Sequence, residues 1–330
     1  MKRILVCVLI LFSLILTGCG QKIQNENPDN PDNDSQQIVN IDDDKDIPDI
    51  AIVMKTLTNP FFIEMEKGAR LAQNELGVNL IVKTGAKETS IEQQIGIVEE
   101  LINSKVDAIV IAPGSSTDLI PVLQKAQKAN ISIVNIDNRL DPNFLRKMNL
   151  TDIPFISVNN EDGAYKSAKY IADQINKPTK VAILEGIRGA DNSEQRKKGA
   201  LKAFAENPNI QIVAMESANW KIDDAFFITS SIFAKYPDIG GIFCANDMMA
   251  LGAIQYLDKS NRSKVLVAGF DDLREAEKAI SKGSMQVTIN QHADIQGYRG
   301  VHYAYEMIKG KKQPSETFID VKLVTKATID

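Results

Sequence analysis

The chain has 330 residues, a formal net charge of −5 and a 44% hydrophobic content. The acidic balance excludes a basic nucleic-acid-binding face. The three cysteines, Cys7, Cys19 and Cys244, provide no pair for an intrachain disulfide once a signal segment is removed. Cys244 follows the strand-like Gly241-Ile242-Phe243, where a packed, inert thiol is expected. The fold therefore has to be held by its apolar core.

Lys2 and Arg3 precede the apolar run Ile4 to Leu16, which is shorter than the roughly 20 residues a spanning helix needs. A basic start, a short apolar core and small residues before a cleavage point describe a secretory signal. Leu16-Thr17-Gly18-Cys19 resembles the bacterial lipobox, which implies a signal peptide over residues 1–18 and a lipid on Cys19. Residues 19–48 then form the expected tether. They contain no aromatic residue and are rich in Asn, Asp, Gln and Pro, too polar to offset the entropy of ordering. Asp42-Asp43-Asp44 lacks the spaced ligands and bend glycine of a calcium loop, so no metal site is expected. Removing Lys2 and Arg3 takes the charge from −5 to −7.

Beyond the tether, short apolar runs alternate with amphipathic segments. Strands are expected at Asp49–Met54, Asn79–Thr84, Ala108–Ala112 and Ile131–Asp137. Between them, Phe62, Met65, Ala69, Ala72 and Leu76 fall at helical spacing. So do Ile91, Ile95, Val98 and Ile102, then Leu119, Val122, Leu123 and Ala126. The pattern restarts after Ile156-Ser157-Val158. Strands are expected at Lys180–Glu185, Ile210–Glu216, Gly241–Cys244 and Val265–Phe270. The helices between and after them fit Ser193–Ala205, Asp224–Lys235, Asp247–Leu257 and Leu273–Ser281. Met285–Gln291 reads as a strand, Ile295–Lys309 as a helix and Phe318–Val324 as one strand. This alternation predicts an α/β fold of two Rossmann-like, doubly wound parallel-sheet lobes. The expected division is 49–157 plus 292–318 for one lobe and 158–291 plus 319–330 for the other, with three crossings as the hinge.

Ligands of open α/β sheets bind beyond the carboxyl ends of the strands. Those ends carry Asn59, Phe61 and Phe62, then Asp137-Asn138-Arg139, in the first lobe. In the second they carry Gly186-Ile187-Arg188-Gly189 leading to Arg196, then Asn219-Trp220, Asn246-Asp247 and Asp271-Asp272. Gln291 stands at an expected crossing. Each alone has an ordinary alternative, as a helix cap, a core ring or a solvated charge. Together they suit a polyhydroxylated molecule. Each hydroxyl both donates and accepts, carboxylates and amides answer it, and aromatic rings cover the apolar C–H faces.

Asn59-Pro60-Phe61-Phe62, Asp137, Arg196-Lys197-Lys198-Gly199, Asn246-Asp247-Met248-Met249-Ala250-Leu251-Gly252-Ala253, Gly269-Phe270-Asp271 and Thr288-Ile289-Asn290-Gln291 stand in chain order from Ile50 onward. In these motifs the chain resembles the periplasmic binding protein type I family, in its ribose-binding branch serving ABC sugar transporters. The resemblance implies that Phe61 and Phe62 stack on one face of a monosaccharide and Trp220 on the other. It also implies that Asn59, Asp137, Arg196, Asn246, Asp271 and Gln291 bond its hydroxyls. Asn138 joins this candidate set where ribose binders have arginine, with Arg139 one residue later. Trp220 stands where they usually have Phe. These departures leave a pentose, a hexose or a sugar alcohol open as the ligand.

The implied protein is an extracytoplasmic lipoprotein, anchored to the cell membrane through Cys19 and monomeric. It would close its hinge over the sugar and present it to an ABC permease, with no cofactor and no nucleic acid. A receptor component signalling a sugar or autoinducer to a membrane sensor is the alternative. An enzyme is not expected: His292 and His302 are the only histidines, and no Gly-x-Ser-x-Gly elbow, phosphate loop or Gly-x-Gly-x-x-Gly follows a strand. A lac-repressor-type regulator shares the implied fold but would need a DNA-binding helix-turn-helix where the tether stands.

Overall fold

The computed structural model describes residues 47–329; the expected signal peptide, Cys19 and the expected tether as far as Asp46 lie outside the described residues. Two six-stranded sheets share one winding. The first runs β2-β1-β3-β4-β5-β11, built from β1 (Asp49–Met54), β2 (Asn79–Thr84), β3 (Ala108–Ile111), β4 (Ser132–Ile136), β5 (Phe155–Val158) and β11 (Glu316–Ile319). All of its pairings are parallel. The second runs β7-β6-β8-β9-β10-β12, from β6 (Thr179–Glu185), β7 (Ile210–Ser217), β8 (Ile239–Cys244), β9 (Leu266–Ala268), β10 (Val287–Asn290) and β12 (Lys322–Thr325). Only its β10–β12 pairing is antiparallel.

β1 shows why its sequence is almost continuously apolar. Ile50, Ile52 and Met54 enter the core shared with α1 (Pro60–Leu76), while Ala51 and Val53 enter the core shared with α2 (Ile91–Asn103) and α3 (Ile120–Lys128). A strand covered on both faces has no polar side to show. β2 and β7, at sheet edges, are only partly buried. In the second sheet α5 (Asn160–Ala172) pairs with α6 (Asp191–Ala205), and α7 (Ile222–Lys235) with α8 (Asp247–Lys259). α9 (Arg274–Lys282) leads into β10.

The chain passes between the sheets three times, from β5 to α5, from β10 to α10 (Ala293–Ile308), and from β11 to β12. α10 returns to the first lobe because glycines let it lie against α1. A Cβ on Gly68 would meet Asp294 O at 1.8 Å, and one on Gly297 would meet Met65 O at 2.0 Å. The expected single strand Phe318–Val324 is instead two strands broken at Asp320-Val321, because each half pairs with a different sheet. Two helices had no counterpart in the sequence reading, α4 (Pro142–Lys147) and α5. α4 buries no residue, and the buried face of α5 is mostly Gly, Ala and Ser, so neither carries a strong apolar period.

Candidate functional site

Both sheets reverse their winding beside their second strand, β1 and β6, so crevices open at the carboxyl ends of these strands and face each other. A narrow cavity lies there, with about 10 Å³ of room for the centre of a water-sized sphere. Its lining comprises Lys55, Asn59, Phe61, Phe62, Glu88, Asp137, Asn192, Arg196, Trp220, Asn246, Asp271 and Gln291, each placed after the end of a strand.

Two lining amides also cap helices. Asn59 Oδ1 accepts from Phe61 N at 3.1 Å at the start of α1, and its Nδ2 donates to Glu88 Oε1 at 2.9 Å. Asn246 Oδ1 accepts from Met249 N at 2.9 Å at the start of α8. A cap of this kind is worth about 1 kcal/mol, and it fixes the side chain's direction. Phe61 and Phe62 meet edge to face, with centroids 5.0 Å apart, and both are buried.

Arg196 ties the second lobe to two of the crossings. Its Nε donates to Asn160 Oδ1 at 2.8 Å and its Nη2 to Gln291 Oε1 at 3.3 Å. Nη1 donates to Ala245 O at 2.9 Å and to Asp271 Oδ1 at 3.4 Å. The guanidinium also lies 3.7 Å from the centre of the Phe270 ring and 5.5 Å from that of Trp220. Gln291 Nε2 donates to Asp271 Oδ1 at 2.6 Å. Burial pushes the Asp271 carboxyl well above its ordinary range against the pull of Arg196, and burial lowers Arg196 as well. Desolvation thus works against both ions, and further hydrogen bonds to this pair would be favourable. Glu88 is likewise raised, first by burial.

In the first lobe Lys55 Nζ lies 2.7 Å from Asp137 Oδ2, close enough for an ion pair but outside hydrogen-bond geometry. Asp137 Oδ2, Asn192 Oδ1 and Trp220 Nε1 are buried lining atoms without a hydrogen-bond partner. Two can accept and one can donate, the combination a hydroxylated ligand answers. Backbone strain gathers here too. Asp137 (φ 63°), Asn219 (φ 52°), Trp220 (φ 65°), Asp271 (φ 133°), Asp272 (φ 64°) and His292 (φ 51°) all have positive φ. Such conformations cost on the order of 1–3 kcal/mol each and cluster at ligand clamps.

Asn59, Phe61, Phe62, Asp137, Arg196, Trp220, Asn246, Asp271 and Gln291 are thereby brought to one cavity, and Asn138 is not. Asn138 Nδ2 donates to Pro113 O at 3.1 Å, and its Oδ1 accepts from Asn192 N of α6 at 3.2 Å. Ser116 Oγ accepts from Asp191 N at 3.0 Å beside it. Asn138 therefore joins the lobes across the cleft instead of facing the cavity. Arg139 turns outward to Glu316 at 2.5 Å, over the Phe155 ring. Lys55, Glu88 and Asn192 escaped the sequence reading. Lys55 directly follows the apolar β1 run, and that position was its available signal. Glu88 sits in the β2–α2 loop, where nothing local marks it.

Among the described residues no group of three or more His, Cys, Asp or Glu is placed to hold a metal, and no helix is long and apolar enough to cross a membrane. The periplasmic binding protein domain profile matches residues 50–312. The D-ribose/D-allose-binding protein of Pseudomonas aeruginosa is 36% identical over 82% of this chain and 85% of its own length. The D-allose-binding periplasmic protein of Escherichia coli is 34% identical over 83% and 89%. A crystallised ABC transporter periplasmic solute binding protein from Actinobacillus succinogenes, with bound D-allose, superposes with a TM-score of 0.80. It is 43% identical, over 85% of this chain and 98% of its own. Two lobes with matching windings, a cavity between their switch points and these likenesses place the chain in the periplasmic binding protein domain family, as an extracytoplasmic binding protein of type I fold.

Proposed function

We propose that this protein captures an aldohexose of the D-allose type between its lobes and delivers it to an ABC importer. One observation carries the reading. Phe61 and Phe62 from one lobe and Trp220 from the other line the same cavity as Asp137, Asp271, Arg196, Asn246 and Gln291. A sugar ring has two apolar C–H faces and a girdle of hydroxyls, and this lining offers rings and polar groups together. One relative is named for D-ribose and D-allose together, another for D-allose alone, and a third holds D-allose in its structure, which supports an aldohexose of this type. The family is one of binding proteins that serve transport, so the chemistry is binding and release.

The two sheets with their helices act as the hinge bodies, and the three crossings absorb the closing motion. Each chain carries a complete cavity, so a monomer suffices. The Cys19 lipid and the tether would hold the receptor at the membrane beside its permease. Fractionation tests that part: Cys19→Ser should move the protein from the membrane to the soluble fraction. A thermal-shift screen over aldohexoses, pentoses and sugar alcohols tests the ligand. D-allose should raise the melting temperature most, because a ligand of the native state alone stabilises it. A screen in which no carbohydrate shifts the transition would refute the assignment.

A further inference from the structure

Trp220 lies against a residue that has no side chain. Gly186, buried at the end of β6, is so close that a Cβ built on it would lie 2.0 Å from Trp220 Cζ2, 2.2 Å from Cη2 and 2.3 Å from Cε2. Real Cβ atoms essentially never come within 3.0 Å of a heavy atom in a residue that is not their chain neighbour. Near-equal separations from three consecutive ring atoms put that Cβ over the ring's face, not at its edge. One face of the indole is therefore backed by the bare Gly186 backbone, and the other is left for a ligand in the cavity that Trp220 lines. Gly186 has no left-handed φ, so an L side chain is refused here by space alone.

The backbone around this contact is tied down. Ser217 Oγ donates to Gly186 O at 2.5 Å, and Ala218 N donates to Glu185 O at 2.9 Å. Asn219 Nδ2 is bonded to Asp224 Oδ2 at 3.0 Å, and Asn246 Nδ2 to Trp220 O at 3.4 Å. A side chain at position 186 would therefore displace the ring more readily than it would part the two loops.

We propose that Gly186 is a positioning residue that sets the size of sugar accepted, because its missing Cβ lets the Trp220 ring lie back against β6 and out of the cavity. The proposal rests on the monosaccharide reading above. A side chain at 186 pushes the ring forward and converts a hexose cavity into one for smaller sugars. D-Allopyranose and D-ribopyranose make a matched pair of probes, since allose is ribose carrying one extra hydroxymethyl group.

Calorimetric titration of both sugars into the wild type, Gly186→Ala, Trp220→Phe and the double variant tests the proposal. Gly186→Ala should raise the ratio of the allose Kd to the ribose Kd by about tenfold or more, the scale on which a pocket discriminates one carbon. In the double variant Cζ2 and Cη2, the two indole atoms nearest the new Cβ, are gone, so the ratio should fall back toward that of Trp220→Phe alone. An unchanged ratio in Gly186→Ala, an equal loss for both sugars, or a double variant that keeps the shifted ratio would each overturn the proposal. Should Gly186→Ala fail to fold, the double variant should fold and match Trp220→Phe, and its failure to do so would be equally decisive. A wild type that binds neither sugar would remove the D-allose reading and this inference together, whereas binding with an unchanged ratio removes the inference alone.

Discussion

Asp271 shows how a single side chain can serve function at a cost to the fold. Its carboxyl is buried beside Arg196 and Gln291, and burial raises it far from its ordinary range. Both of these groups donate to the same atom, Oδ1, which an asparagine retains. Asp271→Asn should therefore leave the ligand-free protein as stable as the wild type or more so. Sugar affinity should fall by about 1.5–3 kcal/mol, the worth of a hydrogen bond to a charged group. Thermal unfolding without sugar, paired with calorimetry, separates the two effects, and a loss of stability equal to the loss of affinity would contradict the account. At this scale the sequence was readable where a residue type is unusual for its place, as with the paired rings Phe61 and Phe62. Lys55 and Glu88 were missed because each becomes distinctive only through a neighbour remote in sequence, Asp137 and Asn59 respectively.

Elements meet across the cleft through the start of α6. Its N-cap residue, Ala190, offers no side-chain cap, and the first free N–H groups of the helix find Ser116 and Asn138 on the opposite lobe. A cap is worth about 1 kcal/mol, so Asn138→Ala should shift the lobes toward an open arrangement and weaken sugar binding several-fold. X-ray scattering of the ligand-free protein would show a larger radius of gyration; an identical scattering curve and affinity would rule the contact out as a latch. Asp247 acts within the second lobe, where Oδ1 accepts from Thr288 Oγ1 at 2.7 Å and Oδ2 from Leu273 N at 2.9 Å. Burial pushes its carboxyl from 3.8 up to about 7. A raised carboxyl stabilises the fold below its unfolded value, and that contribution is lost as pH rises through the folded one. Asp247→Asn should therefore flatten the fall in stability between about pH 4 and pH 7. Denaturant unfolding across that window checks it, and parallel curves for the two proteins would contradict it.

At the scale of the whole molecule, the alternation of strands and helices was legible because both sheets are covered on two faces, which makes central strands such as β1, β3 and β8 near-continuous apolar runs. The break at Asp320-Val321 was not, because Phe318–Val324 looks locally like one strand and only pairing with two different sheets divides it. The site was legible as a list of strand ends. It became a cavity only when two identical windings set their switch points face to face. Asn138 marks the limit of that reading, since adjacency to Asp137 did not carry it into the cavity.

Trp220 is the chain's single tryptophan and lines that cavity, so the protein's own indole emission reports on the site and nothing else. Titrating D-allose while following this emission tests the central claim. A saturable change reaching its limit at one sugar per chain is predicted, while emission that stays constant as D-allose and the other monosaccharides are added would contradict a sugar site between the lobes.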